Sequence, residues 1–348
     1  MFADNRRISR RQLARQLLLG LAGAFLLTMP QIPDMRGWSG ILGLTAGTLL
    51  IWIYLFFLVR TAATARSLRE RTGRFWYGAA AALYLSYFVM SGGYLVRMTS
   101  DMISSSLLPD YSSWTIGALF ILAALLGTGG ELQRRARLGE VCCVPVVGGL
   151  FLLILLAAFQ IEPAAVVSWD MPAAAEVLKS TYHVFCAFSI VGVLPFLMHC
   201  VERPQSSVKY LFASTGAAAV LTGGAMAVIW LLFGIRGTGW KEFPLTALVA
   251  AVNFPGGFLD RFDAVWMIFL IFSLLYSCGT ILYYSQHLVG EKKSPWIRAA
   301  IAVLAFWAAF GKWQNRSILV VYPWCVRWVY VPVFVMFGLG LSKFRRKT

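Results

Sequence analysis

The chain has 348 residues, of which 59% are hydrophobic and 13% charged, with a mean hydropathy of +0.70 and a net charge of +16. Soluble domains average about half apolar and a quarter charged residues, so this composition excludes a soluble globular or disordered protein, and six cysteines are too few for a disulfide-rich scaffold. We therefore expect a polytopic membrane protein, whose length allows about ten spans of ~20 residues.

Ten apolar segments follow one another along the chain, and we name them span 1 to span 10. They cover residues 13–32, 38–59, 76–98, 114–131, 142–161, 181–201, 209–233, 262–287, 297–311 and 323–342. No soluble domain is predicted between them, so residues 1–348 form one integral membrane domain.

The basic residues fix the predicted orientation. If the N-terminus is cytoplasmic, most Lys and Arg residues fall in segments on that side, such as the cluster from Arg6 to Arg15 and the one from Lys343 to Lys347. An excess of Lys and Arg marks cytoplasmic loops, so both termini are predicted to be cytoplasmic. The positive charge is thereby explained without a nucleic-acid partner.

Spans 1 and 6 each combine small residues with a proline. Span 1 contains Gly20, Gly23 and Ala24 before Pro30, and span 6 contains Gly192 before Pro195. Broken helices in matching halves of an inverted repeat are where many transporters bind substrate. Glycine is also common where membrane helices pack closely, as expected for Gly43 and Gly47 of span 2, and the pattern alone leaves the two readings open.

Two helix faces carry several hydroxyl groups each. On span 8 they fall within an arc of about 100° and on span 3 within about 80°. The first face holds Ser273, Tyr276, Ser277, Thr280, Tyr284 and His287, and the second holds Tyr84, Tyr87, Ser91 and Tyr94. We favour a polar cavity between these faces; hydrogen bonding between helices is the alternative.

Motifs for catalysis or metal binding are lacking in the sequence. There is no CxxC, GxSxG, P-loop or HExxH motif, and His183 and His199 lie too far apart on one helix to share a metal. We predict neither an enzyme nor a cofactor. Several spans also lack charged residues at membrane depth, which predicts a ligand held by backbone groups and hydroxyls, and argues against vigorous proton coupling.

Short motifs in a fixed order resemble the B subunits of the endospore nutrient-germinant receptors, the spore germination permease family. They are Ile8-Ser9-Arg10-Arg11-Gln12, Gly23 seven residues before Pro30, Trp38, Arg137-Leu138-Gly139-Glu140 with Pro145, and the run from Phe254 to Asp263. The resemblance covers nearly the whole chain. The chain departs from the family at Phe25, because the family usually has the second small residue of a Gly-x-Gly motif at this position. A bulky ring there affects the expected size of the pocket and of its ligand.

The resemblance implies the fold of the amino acid–polyamine–organocation transporters. The fold class is then an all-α polytopic membrane protein of ten transmembrane helices, a 5+5 inverted repeat of the LeuT-like kind with helices 1 and 6 broken. It also implies a site in which Gly20, Gly23, Ala24, Ser189 and Gly192 present backbone to the ligand. Hydroxyl groups from Tyr87, Ser277 and Thr280 complete that implied site.

The function that the resemblance implies is a ligand-sensing membrane subunit of a germinant receptor. It would bind a small nutrient, commonly an amino acid, and signal to an A-type subunit and a lipoprotein C-type subunit in the bacterial cell membrane or spore inner membrane. The alternative is a stand-alone amino acid transporter of the same superfamily.

Overall fold

The computed structural model describes residues 7–62, 73–129, 131–161, 171–251, 262–289, 294–311 and 317–345. Within these ranges the chain is almost entirely helical, and the only β-type pairing is an isolated parallel bridge between Ile8 and Val201. All ten predicted spans correspond to helices. Eight of the described helices are long and apolar enough to cross a membrane, and spans 4 and 9 are shorter apolar helices.

The helix bounds differ from the predicted ones by several residues. Spans 1 to 5 are Arg10–Thr28, Gly37–Ala62, Arg74–Ser106, Ser113–Leu126 and Leu132–Ala158. Span 6 begins with Ala174–Ala187, and spans 7 to 9 are Val208–Thr238, Phe262–Val289 and Ser294–Phe310. Span 10 comprises Ile318–Cys325, a π-helical turn at Val326–Tyr330 and Val331–Arg345, and a short helix, Pro244–Ala251, lies between spans 7 and 8.

Local sequence explains where span 1 begins. The Ser9 hydroxyl accepts a hydrogen bond from the Gln12 amide, and the Gln12 side chain accepts one from the Ser9 amide. This reciprocal pair is a capping box, which satisfies two amides that a helix start leaves without partners. We call this end of the bundle the Ser9 end, and the opposite end, where the chain turns between spans 1 and 2, the Asp34 end.

Span 1 packs against spans 5, 7 and 8, span 2 against spans 6 and 7, and span 3 against spans 8 and 9. The Gly43 and Gly47 pair is confirmed as a packing device, because a Cβ atom at Gly47 would lie 2.6 Å from the Cβ of Val184 in span 6, and one at Gly43 would overlap Ser180. Close backbone approach of this kind is what small residues provide in membranes, where the hydrophobic effect does not drive helices together.

The predicted break in span 1 is wrong, since Arg10–Thr28 is one continuous α-helix. The Ser273 hydroxyl of span 8 lies beside the helix where the break was predicted. The Gly23 amide donates a hydrogen bond to Ser273 Oγ at 2.8 Å, and the Ser273 hydroxyl donates one to the Leu19 carbonyl at 2.6 Å. Ser273 thus bridges the amide and carbonyl that an α-helix pairs directly. Pro30 lies beyond the helix, in a 3₁₀ turn at Met29–Gln31.

The predicted break in span 6 is present. After Ala187 the chain continues as a 3₁₀-helix, Phe188–Val193, then as a single α-helical turn, Leu194–Leu197, and a second 3₁₀ turn, Met198–Cys200. Pro195 has no amide hydrogen for the carbonyl of Val191, and that carbonyl accepts from the Leu194 amide instead. The proline therefore accounts for the bond shift at the end of the 3₁₀ segment, which itself begins seven residues earlier at Phe188.

Candidate ligand site

A cavity of about 210 Å³ lies inside the bundle, among spans 1, 3, 6, 8 and 10. Five of the eight residues predicted to form a ligand site line it: Gly20, Ala24, Tyr87, Ser277 and Thr280. Most of the remaining lining is apolar. The volume limits any ligand to a small molecule, and the mixture of apolar walls with a few polar groups is typical of small-molecule sites.

The other three predicted residues lie behind the cavity wall. Gly23 packs on Ser273, and Ser189 forms a hydrogen bond with the Tyr87 hydroxyl at 2.9 Å. The Gly192 carbonyl accepts a hydrogen bond from Tyr84 at 2.8 Å. The carbonyl of Gly192 and the hydroxyl of Ser189 therefore already have partners in span 3, and these residues support the lining residues.

On the two hydroxyl-bearing helix faces, some residues line the cavity and others form hydrogen bonds between helices, so both interpretations apply. Ser273 and Tyr284 of span 8 bond the Leu19 carbonyl and Gln16 Oε1 of span 1, so they hold helices together. Ser277 lines the cavity and also donates to the Gly20 carbonyl. The face of span 3 is similar, since Tyr84 is bonded to span 6 while its last three members line the cavity: Tyr87, Ser91 and Tyr94.

Thr280 accepts a hydrogen bond from a buried arginine that lies between the predicted bounds of spans 4 and 5. Arg135, near the start of span 5, donates from Nη2 to Thr280 Oγ1 at 2.6 Å and to the Tyr276 carbonyl at 2.7 Å. Its guanidinium also lies 4.5 Å from the centre of the Tyr276 ring. Only 7% of Arg135 is exposed, so the expectation of an interior without charges is wrong on this side of the cavity.

The Asp34 end of the cavity is also charged. Asp34 Oδ1 lies 2.8 Å from Lys179 Nζ, and Asp34 Oδ2 lies 3.1 Å from His183 Nε2. Partial burial raises the pKa of the Asp34 carboxyl, but the hydrogen bond and charge of Lys179 and the neighbouring His183 outweigh it, and the net pKa is lowered. His183 lines the cavity together with Arg327 of span 10.

Phe25 narrows the cavity at the position where the family's smaller residue is usual. It lines the cavity, and its ring packs edge-on against Phe188 of span 6, with 4.7 Å between the ring centres. Phe188 begins the 3₁₀ segment, so this ring contact links span 1 to the broken part of span 6.

Sequence reasoning missed four polar residues around the cavity: Asp34, Arg135, His183 and Arg327. For Arg327 a signal was available, because it stands inside the apolar run of span 10, whereas Arg135 looked like one of several loop arginines. Arg97 and Asp101, one helical turn apart in span 3, form an ion pair at 2.7 Å. The family-like run from Phe254 to Asp263 cannot be compared with the structure, because residues 254–261 and the side chains of Phe262 and Asp263 lie outside the described part of the chain.

Comparison with known families gives a match over most of the chain. The profile of a family described as "Spore germination protein" matches residues 8–316. Among curated proteins, the spore germination protein YndE of Bacillus subtilis (strain 168) is 23% identical over 305 residues, covering 83% of this chain and 81% of YndE.

Comparison with solved structures identifies the fold. MhsT, solved in complex with L-phenylalanine, superposes with a TM-score of 0.62 at 15% identity, covering 96% of this chain and 91% of MhsT. A Na⁺-coupled sialic acid symporter gives 0.61 at 10% identity, covering 97% and 78%. Mhp1, a nucleobase-cation-symport-1 family transporter, gives 0.55 at 14% identity, covering 97% and 76%. The chain therefore has the LeuT-like fold.

Proposed function

Because the chain belongs to the family of spore germination proteins, we propose that it is the ligand-sensing membrane subunit of a germinant receptor. The observation that carries this proposal is the cavity of about 210 Å³ lined by spans 1, 3, 6, 8 and 10. The family and fold are those of permeases and transporters, not enzymes. An integral membrane protein of this family with an internal cavity is suited to recognising a small nutrient.

The proposed ligand is an amino acid. Support comes from the small volume, from the mixture of apolar walls and hydroxyl groups around Tyr87 and Ser277, and from the polar group Gln16 at one end. The L-phenylalanine complex of MhsT shows that a protein of this fold binds an amino acid. In this proposal the five predicted residues that line the cavity contact the ligand, and Gly23, Ser189 and Gly192 support them.

The proposed signalling begins at the broken part of span 6. A ligand in the cavity would contact span 1 and the part of span 6 around Ile190, where the helix changes type. If the ligand binds one packing of these spans more tightly than another, it shifts their equilibrium by that difference in affinity. The proposed partners that receive this shift are an A-type subunit and a lipoprotein C-type subunit.

Filling the cavity tests the proposed site. A Cβ atom at Gly20 would meet only Ser277 Oγ, at 4.0 Å, so Gly20→Leu places its side chain in the cavity with little disturbance of the helix. We expect binding of L-amino acids to the purified protein in lipid nanodiscs, measured calorimetrically across the twenty common ones, to weaken more than about tenfold. Gly23→Leu is unsuitable, because a Cβ there lies 2.7 Å from Ser273 Oγ.

Gly148→Leu is the matched control, since Gly148 is an exposed residue of span 5 with open space around it. It should leave binding unchanged. Equal binding by wild type and Gly20→Leu would show that the cavity is not the site.

A stand-alone amino acid transporter is the second candidate, and the LeuT-like fold favours it. The two functions differ in what the isolated chain does. Uptake of a bound amino acid into proteoliposomes that contain only this chain would support the transporter, whereas binding without uptake would support the receptor subunit.

A further inference from the structure

Arg327 is a charged residue that lines the cavity and has no role in the proposed function so far. Among the described residues that line the cavity, it alone is Arg, Lys, Asp or Glu. It lies in span 10, nine residues after the helix start at Ile318, within the π-helical turn Val326–Tyr330. Such single π turns often occur at functional sites, because the extra residue redirects a side chain.

The Arg327 side chain lacks a partner of opposite charge. In the part of the chain that the structure describes, no hydrogen bond or ion pair involves its guanidinium. The Asp34 carboxylate at this end of the bundle is paired with other groups, one oxygen with Lys179 and the other with His183. A guanidinium within a membrane span is costly and persists where it faces a watery cavity or an anionic partner.

Aromatic and hydroxyl contacts around Arg327 are neutral and fix the backbone of span 10. Tyr94 and Tyr322 stack with 4.6 Å between their ring centres, and Tyr182 donates its hydroxyl to the backbone carbonyl of Arg327 at 2.5 Å. These contacts hold span 10 against spans 3 and 6. The backbone of Arg327 is thereby fixed while its charged group stays available to the cavity.

We infer that Arg327 binds the carboxylate of the ligand and so orients it, with the side chain of the ligand towards the apolar wall formed by spans 1 and 6. A guanidinium offers two parallel N–H donors that match the two oxygens of a carboxylate. This inference rests on the proposed function and goes beyond it. It assigns recognition of the anionic group to a side chain of span 10 rather than to the backbone of the broken spans.

The experiment compares acids with their amides. Full-length protein in lipid nanodiscs is titrated with L-alanine, L-valine, L-leucine and L-phenylalanine, with the amide of each, and with propanoate and butanoate. We expect the wild type to prefer the acid over its amide by at least about tenfold. Arg327→Gln should abolish that preference by weakening acid binding, and Arg327→Lys should keep part of it.

Arg36→Gln is the matched control, because it removes a charge at the same end of the bundle from a residue that does not line the cavity. It should keep the wild-type preference. Size-exclusion profiles and unfolding temperatures check that each variant folds, and the acid-to-amide ratio of the wild type tests the inference even if Arg327→Gln does not fold.

Each outcome separates this inference from the proposed function. Amino acids bound equally by wild type and Arg327→Gln, or no acid preference in the wild type, would overturn the inference and leave the proposed site intact. Propanoate and butanoate bound only when Arg327 is present, with no amino acid bound, would support the inference and refute an amino acid ligand. No binding of any of these probes would overturn both.

Discussion

Arg135 is a buried positive charge, and hydrogen bonds and aromatic rings around its guanidinium stabilise it. Two acceptors in span 8, the Tyr276 carbonyl and Thr280 Oγ1, take hydrogen bonds from Nη2, and the rings of Tyr276 and Tyr283 face the guanidinium. Its Nε atom is buried without a partner. Buried charges that lose an acceptor are expensive, so this residue ties span 5 to span 8.

The first prediction concerns this arginine. Arg135→Lys should lower the free energy of unfolding by about 1.5–3 kcal/mol, because an ammonium group lacks the planar guanidinium surface that stacks on the Tyr276 ring and is more strongly hydrated, so its burial costs more. Thermal unfolding in nanodiscs measures the loss. Arg134→Lys changes an exposed neighbour on the same helix and should stay within about 0.5 kcal/mol of wild type. Equal unfolding temperatures for the two variants would contradict the structural role of Arg135.

At the scale of elements, spans 1 and 6 share a sequence pattern and differ in structure. Pro195 lies inside span 6, where its missing amide hydrogen leaves the Val191 carbonyl without an α-helical partner, whereas Pro30 lies beyond the α-helix of span 1. Ser273 bridges the Gly23 amide and the Leu19 carbonyl beside the continuous helix of span 1. The glycines of span 1 could not predict this contact, since the hydroxyl belongs to a residue 250 positions away.

The broken span supplies the second prediction. Tyr84 donates to the Gly192 carbonyl in the 3₁₀ segment at 2.8 Å, and both residues are buried. Tyr84→Phe leaves that carbonyl without this donor and should cost about 1–3 kcal/mol in the free energy of unfolding. Tyr111→Phe, at an exposed tyrosine, is the control in the same thermal unfolding assay. A Tyr84→Phe protein as stable as this control would mean that water satisfies the carbonyl.

Across the whole molecule, the Ser9 end is fastened more extensively than the cavity interior. Ile8 pairs with the chain after span 6 through two backbone hydrogen bonds, from its amide to the Cys200 carbonyl and from the Glu202 amide to its carbonyl, both at 2.9 Å. Arg15 of span 1 forms an ion pair with Glu140 of span 5 at 2.8 Å. These contacts join spans 1, 5 and 6 at one end, so a ligand that changes the packing of spans 1 and 6 acts against them.

Orientation in the membrane is the third prediction. The distribution of Lys and Arg places the Ser9 end in the cytoplasm. In a background with all six native cysteines replaced by serine, Trp240→Cys, at a highly exposed residue after span 7, should react with a membrane-impermeant maleimide in intact cells. Arg134→Cys, an exposed residue at the Ser9 end, should react only after permeabilisation. The reverse pattern would invert the topology.

The sequence by itself determined the membrane class and the apolar spans, because hydropathy and helical periodicity are local properties. Its short motifs, through the family that they resemble, implied the fold and five residues of the cavity lining. Tertiary structure decided which glycine-rich span is broken, which hydroxyl groups face the cavity, and that Arg135, His183 and Arg327 surround it. Those features depend on contacts between residues far apart in the chain. A hydrogen bond from one helix can replace a backbone bond in another, and no pattern within either helix records it.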